Sequence, residues 1–197
     1  MVDLKRLCVF CGSSPGFSPV YRELTTAFGS LLAEEGIELI YGGGSVGLMG
    51  ALADAVLEAN GRVIGVIPRF LATRELLHER VTELRLTDTM HERKAQMSEL
   101  SDAFVALPGG LGTFEELFEV LTWSQLGLHG KPIGLLNIAG YFDPLVTLVD
   151  RSIADGFCRP EHRQLFVVAD QPGPLLQQLR DYQPPTVKKW IRSPEQT

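Results

Sequence analysis

Glu115 and Glu116 are the residues of this chain best placed to do chemistry, because they stand directly behind a loop of glycines. The run is Pro108-Gly109-Gly110-Leu111-Gly112-Thr113-Phe114-Glu115-Glu116. It follows an apolar stretch, 103–107, and opens an amphipathic one, 117–126. The pattern predicts a buried strand, a glycine loop, and a helix that begins at Thr113 with two carboxylates in its first turn. Glycines let a backbone turn sharply and approach a ligand closely. The first N–H groups of a helix have no intrahelical partner and sit at the positive end of its dipole, so the place suits a phosphate. A carboxylate beside a phosphate loop adds something that binding alone does not need. It suggests a nucleotide held for chemistry on its sugar. Thr113-x-x-Glu116 also reads as a capping box, Thr at N-cap and Glu at N3, which would account for both residues without function. Capping needs no glycine run, however, and spacing does not choose between Glu115 and Glu116.

A second group is Met90-His91-Glu92-Arg93-Lys94-Ala95-Gln96-Met97. Met90, Arg93 and Met97 share one helical face, so the arginine is expected to be partly buried and to want an anion. Gly42-x-Gly44-x-x-Gly47 follows an apolar stretch and formally matches the dinucleotide fingerprint. The acid expected about 20 residues further on is missing, since the next strand ends Val66-Ile67-Pro68-Arg69. NAD is therefore disfavoured, and no Gly-Lys-Ser/Thr supports a P-loop. Gly12 and Ser13, after the first strand, and Gly43 and Gly44, after the second, remain phosphate-loop candidates. Cys8 and Cys11 form a C-x-x-C inside a strand-like run, where odd spacing sends the side chains to opposite faces. They read as core thiols. The four histidines show no metal-ligand spacing, so no metal and no cofactor is expected. Glu75 sits in the long connection 68–89, and long connections are often functional.

These groups need elements to hold them. Apolar runs at 7–11, 37–41, 63–67, 103–107, 133–137 and 165–169 alternate with amphipathic runs starting near Ser18, Gly47, Met90, Thr113, Tyr141 and Pro174. Such alternation predicts an α/β fold: a single-domain, Rossmann-like, doubly wound, mainly parallel sheet with helices on both faces. Residues 1–183 form that domain, and 184–197 a polar tail. The glycine loops all follow strands, so they should meet at the carboxyl edge of the sheet.

Bulk properties narrow the partners. The 197 residues suffice for one sizeable core. A net charge of −6 disfavours nucleic-acid polymers but allows a small phosphorylated ligand. The absence of a 20-residue apolar stretch, of a signal pattern and of paired cysteines points to a cytoplasmic protein without a membrane partner.

Tyr41-Gly42-Gly43-Gly44, Met90-x-x-Arg93-Lys94 and Pro108-Gly109-Gly110-x-Gly112-Thr113-x-x-Glu116 together resemble the Lonely Guy family. Its members are nucleoside 5′-monophosphate phosphoribohydrolases, formerly labelled lysine decarboxylases. The likeness extends from the first strand to about Asp170. It implies hydrolysis of the N-glycosidic bond of AMP or an N6-prenylated AMP, releasing adenine or a cytokinin base. It implies Arg93 and Glu116 as the catalytic pair. It implies Glu75, Lys94, Gly110, Leu111, Gly112, Thr113, Phe114, Glu115 and Thr122 as binding positions, and a homodimer. The alternatives are a non-catalytic nucleotide-binding protein of the same fold and a decarboxylase. The latter needs a cofactor-bearing lysine that the sequence does not offer.

Overall fold

A computed structural model describes residues 1–73 and 76–185 of the chain. Glu75, and the tail from residue 186, lie outside the described residues. Seven parallel strands form one sheet: β1 (Arg6–Phe10), β2 (Glu38–Tyr41), β3 (Val63–Pro68), β4 (Glu83–Thr87), β5 (Ala103–Ala106), β6 (Ile133–Leu136) and β7 (Val167–Ala169). Their order is β4-β3-β2-β1-β5-β6-β7. The direction of winding reverses between β1 and β5, whose registers pair Leu7 with Ala103 and Phe10 with Ala106. In an open α/β sheet, that reversal opens a crevice at the carboxyl edge.

Among the described residues six α-helices cover the sheet: α1 (Pro19–Glu34), α2 (Gly47–Glu58), α3 (Met90–Leu100), α4 (Leu111–Gln125), α5 (Asp143–Ala154) and α6 (Pro172–Asp181). One core joins α1, α2 and α6 through Phe28, Leu32, Leu52, Val56, Leu175 and Leu179. The other joins α3, α4 and α5 through Met97, Leu117, Val120, Leu121 and Phe142. Cys8 belongs to the second core and Cys11 to the first, as strand alternation requires. Burial pushes both thiols well above their ordinary range, so neither is a reactive thiolate.

Local chemistry explains the punctuation. Ser18 and Pro19 open α1, and Gly36, at φ +67°, ends it in the left-handed conformation. At Gly29 a Cβ would stand 2.8 Å from Ala55 Cβ, so this glycine lets α1 and α2 pack closely.

Two expectations need correction. The connection 68–89 contains β4, an edge strand. Its Leu84 and Leu86 are partly exposed, so it lacks the continuous apolar run that marks a central strand. The second correction concerns α4, which starts at Leu111 with Gly110 as its N-cap. Thr113 is therefore at N3 and Glu116 at the sixth helical position, so no Thr113–Glu116 capping box exists. Glycine serves acceptably at N-cap, and Thr113, buried, packs its side chain over the bare backbone of Gly109.

Candidate active site

Three loops converge at the β1/β5 crevice. The Gly12 amide donates to the Pro108 carbonyl at 3.0 Å, and the Leu48 amide donates to the Gly12 carbonyl at 3.0 Å. Gly47, at φ +61°, lies so close to Ser13 that a Cβ would meet its backbone at 2.3 Å. Gly109 is equally confined, 2.1 Å from Thr113 Oγ1 and 2.8 Å from the Gly12 nitrogen by the same measure. Gly110 and Gly112 differ, because a Cβ at either would meet nothing within 4 Å. The first pair of glycines builds the loops, and the second keeps the amide edge of α4 open to solvent.

That open edge forms one wall of a cavity of about 420 Å3. Gly110, Leu111, Gly112 and Thr113 line it from α4, Gly12 and Ser13 from the β1 loop, and Gly42 and Gly44 from the β2 loop. Met49, Ile67, Pro68, Leu71 and Leu76 form an apolar wall, and Cys11 is also on its surface. Arg93 and Glu116 line it as the charged pair. Arg93 Nη1 stands 3.1 Å from Glu116 Oε1, with only 11% and 12% of the side chains exposed. Arg93 Nε donates to the Val66 carbonyl at 3.1 Å, which fixes the guanidinium on the end of β3. Gly42 makes room for it, since a Cβ there would fall 2.3 Å from Arg93 Nη2. The sequence marked Gly42 only as part of a fingerprint. Its steric role needs the fold.

Burial pushes the Glu116 carboxyl above its ordinary range, and the Arg93 guanidinium pulls back only part of that shift. The helix dipole does little to hold Glu116 ionised. With five helical residues ahead of it, Glu116 lies beyond the first turn, where the dipole acts most.

The remaining candidates fall elsewhere. Lys94 faces away from the large cavity and pairs with Glu115 at 2.5 Å and Glu119 at 2.9 Å. Burial lowers its pKa, but the two carboxylates outweigh this and raise it overall. Phe114 stacks on Tyr141, whose hydroxyl donates to the Gly109 carbonyl. Thr122 is exposed and donates to the Phe118 carbonyl at 2.7 Å. Gly43 lies behind the cavity surface, with φ +76° and its would-be Cβ 3.2 Å from Ile67. Glu75 falls outside the described residues.

Residues 49–179 match the family described as "Possible lysine decarboxylase". A rice protein (Oryza sativa subsp. japonica), probable cytokinin riboside 5′-monophosphate phosphoribohydrolase LOGL9, is 52% identical over 180 residues, covering 91% of this chain and 79% of that one. Arabidopsis thaliana cytokinin riboside 5′-monophosphate phosphoribohydrolase LOG7 is 49% identical over 180 residues, covering 91% and 83%. This chain belongs to the Lonely Guy family. The resemblance carried by the three motifs is thus borne out over nearly the whole chain. The fold is shared outside the family. The molybdenum cofactor carrier protein of Chlamydomonas reinhardtii superposes with a TM-score of 0.67 at 23% identity, over 90% of this chain and 98% of that one. At that identity the likeness is one of fold alone.

Proposed function

We propose that this cavity hydrolyses the N-glycosidic bond of a purine nucleoside 5′-monophosphate, with an N6-prenylated AMP preferred over AMP. The observation that carries the proposal is the buried Arg93–Glu116 pair, facing a cavity beside an open helix N-terminus. The 5′-phosphate sits against the amides at the start of α4, where Gly110 and Gly112 leave space. The base and its N6 substituent lie along Met49, Ile67, Pro68, Leu71 and Leu76. Water attacks C1′ as the C1′–N9 bond breaks, through an oxocarbenium-like sugar. Glu116 stabilises that cation and accepts the proton released by the water. Arg93, permanently charged, holds the substrate and supports negative charge on the departing purine. The departing purine anion takes its proton from solvent water, and Glu116 returns the proton it accepted to solvent, so the products are the free base and ribose 5-phosphate.

The decarboxylase reading lacks a residue to carry it among the described residues, where no lysine lines the cavity. A purely binding role leaves Glu116 unexplained, since a carboxylate near an anion costs affinity unless it has a task.

The test is incubation with AMP, isopentenyl-AMP and adenosine, with detection of the free base. Both monophosphates should be cleaved and adenosine should not. A prenyl group buried on the apolar wall is worth roughly 0.8 kcal/mol per methylene, so kcat/KM should favour isopentenyl-AMP by about tenfold or more. Equal or better use of AMP would remove the prenyl preference. Efficient cleavage of adenosine would remove the phosphate assignment.

The same reading makes the protein a cytoplasmic homodimer. Lys94, Glu115 and Thr122 do not line the cavity of their own chain, so a binding role for them is exercised on a second copy. No described helix is long and apolar enough to cross a membrane.

A further inference from the structure

One polar cluster, built on a buried histidine, stands outside the residues assigned above. His78 is 5% exposed, and its Nε2 lies 3.2 Å from Asp54 Oδ1 on α2. Arg80 pairs with the same carboxylate oxygen. His78 Nδ1 is buried and has no hydrogen-bond partner among the described residues. A buried imidazole left half-satisfied is costly and calls for an explanation.

The backbone around it supplies one. The His78 amide donates to the Gly43 carbonyl at 3.0 Å, and the Ser45 amide donates to the Leu76 carbonyl at 2.9 Å. Leu77 forms an antiparallel bridge with Gly44. Residues 76–78 are thus stitched along residues 43–45, and the His78–Asp54 contact fastens this assembly to α2. Both partners in the stitching matter to the cavity. Leu76 lines it from one side of the stitching and Gly44 from the other.

We propose that His78 is a positioning residue: held by Asp54, it pins segment 76–78 against residues 43–45 and thereby sets the affinity of the cavity for its nucleotide. The inference rests on the hydrolase reading for its substrate, but the device itself belongs to the free protein. His78 touches no reacting group, and Arg93 and Glu116 keep their anchorage on α3, β3 and α4. Loss of the pin should therefore weaken binding more than turnover.

His78→Ala and Asp54→Ala test this separately, and Asp54 is exposed enough for its variant to fold. Each should raise KM for AMP by about tenfold with kcat within about threefold, and the double variant should add little to either. Unchanged KM beside a lowered melting temperature would overturn the proposal, as would a fall confined to kcat. A second measurement needs no substrate. Hydrogen exchange at the Ser45 amide should accelerate by about tenfold or more in both variants, while β1 amides keep their protection. Unchanged exchange at Ser45 would also overturn it. A parent protein that releases no base would sink the hydrolase reading, and exchange would still decide on the pin.

Discussion

Glu115 and Glu116 are neighbours in the chain and opposites in the fold. Helical rotation sends Glu116 inward to Arg93 and Glu115 outward to Lys94, where its side chain is 55% exposed. Spacing narrowed the chemistry to these two and left the choice open, the family resemblance pointed to Glu116, and the capping box that would have explained Glu116 without function is removed by the actual start of α4. Glu116→Gln keeps the shape and deletes the charge. It should lower kcat by on the order of a hundredfold or more, while Glu115→Gln changes it by less than about threefold. The opposite ranking in a steady-state assay would move the catalytic role by one residue. Burial sets the pH dependence as well. The ionised carboxylate is the working form, and its pKa is raised. The acid limb of kcat/KM should therefore lie above the ordinary glutamate value of about 4.3. Arg93→Gln removes the charge that pulls the pKa down, so in whatever activity remains the limb should move higher still. Stability follows the same sign. A carboxyl raised in the folded state contributes stability at low pH that is lost as pH rises through its folded value. Glu116→Gln should accordingly gain in melting temperature on the parent between about pH 4 and pH 7. A constant difference across that range would mean that Glu116 titrates normally.

At the scale of elements, the glycines divide by what surrounds them. Gly109 is enclosed by Thr113 and Gly12, whereas Gly112 faces open space in the first turn of α4. Gly109→Ala must push backbone against backbone and should cost about 2 kcal/mol or more of stability. Gly112→Ala replaces a poor helix former by the best one and should be neutral or stabilising by up to about 1 kcal/mol. It should still raise KM, because the new methyl occupies the space proposed for the phosphate. Denaturant unfolding and steady-state kinetics on the two variants would separate the roles, and equal destabilisation would contradict the division. The alternation of strands and helices was readable because central parallel strands are apolar throughout. The edge strand β4 was passed over because the reading followed continuous apolar runs, whereas Glu83-Leu84-Arg85-Leu86 carries the short period-2 alternation of a strand. Arg93 was expected to be partly buried from its methionine neighbours, and only 11% of its side chain is exposed. Its seat above Gly42, and the His78–Asp54 contact, join residues 51 and 24 positions apart and leave no local pattern to read.

For the molecule as a whole, the face of α4 turned away from the core bears on assembly. Leu111, Glu115, Phe118 and Thr122 follow each other at helical spacing along one exposed stripe, and Phe118 is 41% exposed in mid-helix. On the same side of the sheet, no residue of the amphipathic helix α5 is fully buried, and Leu148 is 60% exposed. Apolar stripes of this kind mark surfaces that another molecule covers. A second copy is the occupant that also gives Thr122 and Glu115 a ligand to reach, since neither faces the cavity of its own chain. Light scattering at micromolar concentration should thus return twice the 21.7 kDa of one chain. Phe118→Asp places a charge on the stripe without touching the core, so the fold should survive and the mass should fall to one chain. KM should rise with the loss of the neighbour's contribution. A Phe118→Asp protein that remains dimeric would place the interface elsewhere. A monomeric variant with unchanged KM would show that each cavity is complete within its own chain, and that Thr122 and Glu115 bind nothing.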